Sequence, residues 1–82
     1  MALYFLSYDL RGERDYQKLY NELKTFKAKQ VLESTWCFNR ANTTTSKLRD
    51  YFKKYIDKDD GLLVDESVDW ATFNANGTPK DL

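Results

Sequence analysis

The chain has 82 residues, of which 41% are hydrophobic and 32% charged, and its 13 basic and 13 acidic side chains cancel at pH 7. This length fits one domain. Because there is one cysteine, Cys37, and no histidine, an intrachain disulfide, a Cys/His zinc site and histidine catalysis are excluded. Carboxylates, hydroxyls, lysine and arginine remain for any chemistry.

The charge is unevenly distributed along the chain. Up to Ile56 there are eleven basic and six acidic side chains, whereas from Asp57 onward there are two basic and seven acidic ones. This asymmetry permits the basic part to bind anions. The apolar stretch before Asp9 is too short for a membrane span and lacks a basic leader, so we expect a cytoplasmic protein without a membrane contact.

The first predicted element is a strand over residues 3–10. Its alternation places on one face Leu3, Phe5, Ser7 and Asp9, and on the other Tyr4, Leu6, Tyr8 and Leu10. Both faces are apolar over most of the length, which predicts a central strand that is covered on both sides. Asp9 ends the apolar run, and Arg11 and Gly12 indicate a turn.

The hydrophobic period then changes to that of a helix. One apolar stripe predicts a helix over about residues 13–27, and a second stripe predicts another over about residues 46–57. Thr44 or Thr45 is a suitable N-cap for the second helix. The acidic segment 57–61 ends that helix in a turn.

Further strands are predicted between and after the helices. Residues 30–40 are rich in β-forming side chains and bend near 33–34 into two strands, and residues 62–67 form another. Residues 68–73 are an optional final strand. Residues 74–82 are expected to be a mobile tail.

The predicted element order is β-α-β-β-α-β. Two helices on one face of a mostly antiparallel sheet predict an α+β fold, a ferredoxin-like split β-α-β sandwich, with residues 1–82 in one domain. Two helices cover only one face of the sheet, yet the first strand is apolar on both. We therefore expect a second copy to cover the other face in a twofold homodimer.

Short motifs carry a family resemblance. A strand that ends with 8–10 (Tyr-Asp-Leu), a helix and then the segment 30–36 resemble the CRISPR-associated Cas-two superfamily. In that family the first strand ends in Tyr-Asp, and the second β segment carries a serine followed by an aromatic residue. Ser34 would match that serine and Trp36 that aromatic. The related virulence-associated protein D family shares the fold and the aspartate of the first strand.

The resemblance implies a homodimer that holds Mg²⁺ or Mn²⁺ between two Asp9 carboxylates, since Mg²⁺ favours carboxylates, waters and phosphate oxygens. It implies a metal-dependent nuclease that cleaves RNA or DNA, with Asp9 as the metal ligand and catalytic residue. Ser7 and Ser34 are candidate catalytic helpers that hold a water or a phosphate oxygen. The candidate nucleic-acid contacts are Arg11, Arg14, Arg40, Lys47 and Arg49.

Each candidate also has an ordinary structural explanation. Asp9 can simply end the strand by bonding to the following turn, Ser7 and Ser34 can be satisfied strand hydroxyls, and the cations can belong to a solvated surface. The alternative function is a non-catalytic dimer that holds a nucleic acid or a protein. Its protein partner would be an integrase or an antitoxin, within a CRISPR or toxin–antitoxin module.

Overall fold

The computed structural model describes residues 1–12 and 15–82. The strands in these ranges are β1 (Ala2–Asp9), β2 (Lys29–Leu32), β3 (Thr35–Arg40) and β4 (Gly61–Ser67). The α-helices are α1 (Gln17–Thr25) and α2 (Thr45–Phe52), and short 3₁₀ turns lie at Lys53–Tyr55 and Pro79–Asp81. The observed order, β-α-β-β-α-β, confirms the prediction, including the bend that divides residues 30–40 into two strands.

The four strands form one antiparallel sheet in the order β2-β3-β1-β4. The predicted central strand, β1, pairs with β3 on one side, where Ser7 lies opposite Thr35. On its other side it pairs with β4, where Asp9 lies opposite Gly61. Because each helix connects two strands that are not neighbours in the sheet, this is the predicted ferredoxin-like α+β arrangement.

The core lies between the helices and one face of the sheet. Its fully buried members include Leu6, Leu19, Leu23, Phe38 and Phe52. On β1, every second residue from Tyr4 to Tyr8 is buried, so the predicted alternation is confirmed. The core is rich in aromatic pairs: the ring of Phe26 lies 5.2 Å from that of Phe38 and 5.0 Å from that of Phe52.

Helix α1 is shorter than predicted within the described residues. It begins at Gln17, whose N–H donates to the Asp15 carboxylate at 2.9 Å. It ends at Thr25, because Lys27 takes the left-handed conformation with φ 57°. Glu13, which was predicted in the first turn, lies outside the described residues.

Helix α2 begins where the predicted cap places it. The Thr44 hydroxyl accepts the N–H of Lys47 at 3.2 Å, which satisfies one of the free donors of the first turn. The α-helix ends at Phe52 rather than near Asp57, because the chain tightens into the 3₁₀ turn and Ile56 is extended. Across the described ranges no helix is long and apolar enough to span a membrane.

The segment after β4 returns to the opposite edge of the sheet. The optional strand over 68–73 does not form. Further on, the N–H of Asn76 donates to the carbonyl oxygen of Val31 at 2.8 Å. Gly77 is buried there, and a Cβ on it would lie 2.8 Å from the carbonyl oxygen of Gln30. These contacts hold the terminal segment against β2, and the predicted mobility of 74–82 stays a prediction.

The sheet face opposite the helices is covered in part. Cys37 is fully buried on this face, and burial, with a smaller contribution from Asp81 of the terminal segment, raises the pKa of its thiol. On the β1–β4 half, Phe5 is half-buried and Leu63 is 59% exposed. This half is where a second copy would pack, and the homodimer stays a prediction.

Candidate functional site at the end of strand β1

Asp9 ends the central strand at the edge of the open sheet face. It shares that face with Ser7, because side chains alternate along β1. The two residues line a shallow depression together with Gly61 and Leu63 of β4. The Asp9 side chain is 69% exposed, so its carboxylate is available to solvent and to ligands.

Arg11 holds the Asp9 carboxylate from one side. Its Nη2 lies 3.0 Å and its Nε 3.1 Å from Oδ2 of Asp9. Its Nη1 donates to the carbonyl oxygen of Asp59 at 2.9 Å, so all three guanidinium nitrogens are engaged. Both contacts to Asp9 go to Oδ2, so Arg11 holds the carboxylate through that oxygen.

Asp60 organises the loop that carries Arg11. Its Oδ1 accepts the N–H groups of Arg11, at 2.7 Å, and of Gly12, at 3.3 Å. Its Oδ2 accepts the Tyr16 hydroxyl and the N–H of Asp57, both at 2.8 Å. Burial raises the pKa of the Asp60 carboxyl, but these hydrogen bonds outweigh burial and hold its pKa below the ordinary value of 3.8.

Gly12, in the loop after β1, lies close to the side chains of Asp57 and Tyr16. A Cβ on Gly12 would lie 2.6 Å from Oδ2 of Asp57 and 2.9 Å from the Tyr16 hydroxyl, closer than real Cβ contacts. A side chain at residue 12 would therefore displace the Asp57 carboxylate and the Tyr16 hydroxyl from these positions. Sequence reasoning interpreted 57–61 as a turn and missed its contacts with the loop after β1, since nothing local signals which loop it faces.

The two predicted serines lie near the same end of the sheet and make different contacts. The Ser7 hydroxyl is 2.9 Å from the Thr35 hydroxyl across the β1–β3 pair. Ser34 lies in the turn between β2 and β3 with an exposed side chain, and its carbonyl oxygen accepts the N–H of Tyr8 at 3.1 Å. The fold therefore brings Ser7, Ser34 and Asp9 to one end of the sheet.

Trp36 and Tyr8, the aromatic residues of the family motifs, belong to the core. The indole N–H of Trp36 donates to the Tyr8 hydroxyl at 3.0 Å, and that hydroxyl donates to the carbonyl oxygen of Glu33 at 3.3 Å. Burial raises the pKa of Tyr8, and the Trp36 hydrogen bond offsets part of this rise. These bonds tie the end of β1 to the turn that carries Ser34.

The predicted basic contacts do not gather at one place. Arg40 lies opposite Ala2 at the start of β1, and Arg11 follows its other end, about 25 Å away at 3.3 Å per residue. Arg49 pairs with Asp50 at 3.0 Å and lines a cavity that also contains Asp60, so it lies toward the Arg11 end. Arg14 lies outside the described residues.

Lys47 is grouped with Arg40 instead. Both line a cavity between the β3–α2 loop and α2, at the end of the sheet opposite Asp9. The predicted basic set thus divides in two, with Arg11 and Arg49 toward the Asp9 end and Lys47 and Arg40 at the far end. Strand polarity, which sequence proximity does not reveal, decides this division.

Among the described residues, Asp9 is the one carboxylate on the open face at this end of the sheet. In residues 1–12 and 15–82 no group of three or more His, Cys, Asp or Glu side chains is placed to hold a metal ion. Asp59 and Asp60 are nearby, but Asp60 is saturated with hydrogen bonds and Asp59 contributes its backbone carbonyl to Arg11. The described residues therefore supply Asp9 alone to a metal at this place, and a second carboxylate would have to come from elsewhere.

The fold and this strand end define a class of protein: a small ferredoxin-like α+β domain with an exposed aspartate after the central strand and an arginine beside it. The family model for CRISPR-associated protein Cas2 matches residues 1–72 of the chain. The chain therefore belongs to the Cas2 family. No solved structure matches it.

Proposed function

We propose that two copies of this chain form a cytoplasmic, metal-dependent nuclease that cleaves phosphodiester bonds of RNA or DNA. The observation that carries the proposal is the Asp9 carboxylate, which is 69% exposed at the end of the central strand. It lies beside Ser7 on the sheet face that the helices leave open. Membership of the Cas2 family supports the same assignment.

Asp9 fits one half of a site for Mg²⁺ or Mn²⁺. Mg²⁺ binds one or two carboxylates, keeps several waters and takes phosphate oxygens as further ligands. Asp9 from each of two copies would supply two carboxylates, and a twofold axis near the open face would bring them together. A bound ion would polarise a water molecule and neutralise charge on the phosphodiester.

The neighbouring side chains have roles of their own in this proposal. Arg11 orients Asp9 through Oδ2, and its guanidinium would contact a phosphate that approaches the carboxylate. Ser34, exposed in the adjacent turn, would donate its hydroxyl to a phosphate oxygen. Ser7, already paired with Thr35, would position the strand end rather than bind substrate.

The test is cleavage of labelled single-stranded RNA, single-stranded DNA and duplex DNA, each with and without Mg²⁺ or Mn²⁺. Wild type is compared with Asp9→Asn and with the matched control Asp65→Asn, an exposed carboxylate on the same face, opposite Phe5. We expect metal-dependent cleavage that Asp9→Asn abolishes and Asp65→Asn retains. Cleavage that survives in Asp9→Asn would refute the proposed site.

A second candidate function is a non-catalytic dimer that holds a nucleic acid or a protein partner such as an integrase or an antitoxin. The ion pair between Asp9 and Arg11 favours it, because a carboxylate that already has a cationic partner has less need of a metal. A folded wild type that binds nucleic acid but cleaves none of the three substrates would support it. Charge reversal at Lys47 or Arg49 should then weaken binding.

The dimer has its own test, which is independent of activity. Sedimentation velocity at micromolar concentration should give the mass of two chains for wild type and for Asp9→Asn. Leu63→Glu, which places a charge on the exposed β4 side of the open face, should give the mass of one chain. A wild type that sediments as a single chain would exclude the composite site.

A further inference from the structure

A cavity at the end of the sheet opposite Asp9 has the character of a phosphate site. It has a volume of about 410 Å³, within the range of small-molecule sites. We call it the Arg40 cavity, and its wall includes Phe26, Arg40, Asn42, Thr43, Lys47 and Tyr51. Its residues come from the C-cap of α1, the end of β3, the β3–α2 loop and α2, so the fold assembles it from four segments.

Arg40 is held in this wall by an aromatic ring instead of an acid. Its guanidinium carbon lies over the ring of Phe26, 4.0 Å from the ring centroid. Phe26 is itself 9% exposed and packs against Phe38, Phe52 and Tyr51. A guanidinium with one face on a fixed ring keeps its N–H edges and its outer face available, and this form of arginine suits phosphate and nucleic-acid recognition.

The positive charge of the cavity is not neutralised within the part of the chain that the structure describes. Neither Arg40 nor Lys47 has an ion pair there with an acidic side chain. Two nearby carboxylates, those of Glu22 and Glu66, are each in contact with a tyrosine. The Tyr51 hydroxyl donates to Glu22, and the Tyr4 hydroxyl lies 3.4 Å from Glu66. Neither carboxylate lines the cavity.

The loop that completes the wall is fixed from beneath. The Tyr4 hydroxyl lies 3.3 Å from the carbonyl oxygen of Thr43, so the loop contacts a core residue of β1. Thr44 caps α2 immediately afterwards, so Lys47 projects from an ordered first turn. The backbone of the loop and of the first turn of α2 is therefore held by these contacts, which lowers the entropy that this backbone loses when a ligand binds.

We infer that the Arg40 cavity binds a phosphate group carried by a nucleotide, with Arg40 and Lys47 as its two cationic contacts and the outer guanidinium face of Arg40 as a stacking surface for the base. The nucleotide is either free or part of a strand. Phe26 and Arg40 also line a second cavity of about 380 Å³ that includes Lys27, so the two cavities adjoin at these two residues.

Nucleotide binding is measured in EDTA, which removes the metal ion that the proposed nuclease requires. Failure of the Arg40 cavity to bind is therefore distinguished from failure of the nuclease proposal. The probes are fluorescein-labelled oligothymidylate, adenosine 5′-monophosphate and inorganic phosphate. Arg40→Gln and Lys47→Gln should each weaken oligothymidylate binding about ten-fold, the loss of one charge-assisted contact. The slope of log K against log salt should fall by about 0.7 for each. Lys18→Gln, an exposed cation on α1 near the other end of the sheet, should bind as wild type does.

Amide chemical shifts locate the site and identify the source of the phosphate. Addition of inorganic phosphate should move the amide signals of residues 41–43 and 47–51. Competition by adenosine monophosphate would indicate a free nucleotide, and binding of oligothymidylate alone would indicate a strand. Shifts confined to 9–12 and 57–61 would overturn the inference, as would Arg40→Gln and Lys47→Gln variants that bind as wild type does.

One further variant and a folding measurement separate recognition from folding. Arg40→Lys keeps the charge but lacks the planar fork, so we expect weaker binding than that of wild type, and equal binding would contradict the site. Because Arg40→Gln also removes a contact with Phe26, its folding is checked by urea titration at the assay temperature. Lys47→Gln leaves the aromatic cluster intact and carries the test if Arg40→Gln unfolds.

Discussion

Tyr8 is the residue through which the end of β1 is joined to the neighbouring turn. Its hydroxyl accepts the indole N–H of Trp36 at 3.0 Å and donates to the carbonyl oxygen of Glu33 at 3.3 Å. Tyr8→Phe keeps the buried ring and removes both bonds. The variant therefore measures what the hydroxyl contributes to the strand end that precedes Asp9.

Most of the expected decrease in the free energy of unfolding of Tyr8→Phe comes from Trp36, whose N–H loses its acceptor. Trp36 is 6% exposed, so its N–H would stay buried without an acceptor, which costs about 1–3 kcal/mol. The longer bond to Glu33 adds about 0.5 kcal/mol. A domain of this size has a free energy of unfolding of about 4–12 kcal/mol, so the variant should remain folded. Its melting temperature should fall by at least about 5 °C.

Urea titration followed by tryptophan fluorescence and by circular dichroism gives the free energy of unfolding. The matched control is Tyr55→Phe, which removes a hydroxyl that makes a 3.4 Å contact with the Tyr51 hydroxyl and should change the free energy by less than about 0.5 kcal/mol. If Tyr8→Phe lowers the free energy of unfolding by no more than Tyr55→Phe does, the reasoning is refuted. A changed dependence on urea would instead indicate an altered unfolded state.

Three other predictions concern contacts at the Asp9 end of the sheet and at its β2 edge. Arg11→Gln removes the cation from Oδ2 of Asp9, so Mn²⁺ should bind about two- to five-fold more tightly by calorimetric titration; weaker binding would contradict competition between Arg11 and the ion. The pKa of Asp60 is lowered on folding, so its stabilising effect is present above the unfolded value near 4 and is lost as pH falls through the folded value. The free energy of unfolding should therefore decline with acid below about pH 4 in wild type and less steeply in Asp60→Asn, and parallel profiles would exclude this role. Gly77→Ala places a methyl group against β2, so the terminal segment should detach and Cys37 should react faster with a thiol reagent; an unchanged rate would show that the segment does not protect Cys37.

Local pattern by itself determined most of the fold. The alternation of β1 identified a central strand with Tyr4, Leu6 and Tyr8 directed to one side, because burial on one face requires a period of two. The helices were found from their apolar stripes and, for α2, from the cap at Thr44. The beginning of α1 and the C-terminal ends of both helices were misplaced, since tertiary packing rather than propensity decides where the first and last turns form.

The Tyr-Asp strand end and the serine and aromatic that follow were sufficient to predict the Cas2 family, which the family model confirms over residues 1–72. The same motifs identified Asp9 as the residue to examine. They did not reveal that the Tyr8 and Trp36 side chains bond to each other inside the core, because these residues are 28 positions apart and meet only when β1 and β3 pair.

Only the tertiary structure decided which polar groups stand together. Asp60 and Arg11 are separated by 49 positions and meet because β4 begins beside the place where β1 ends. Arg40 and Arg11 are closer in sequence, yet they lie at opposite ends of the sheet because β3 runs antiparallel to β1. Sequence patterns report which face of an element is buried, whereas the neighbours of an exposed side chain depend on strand order and direction, which are properties of the whole fold.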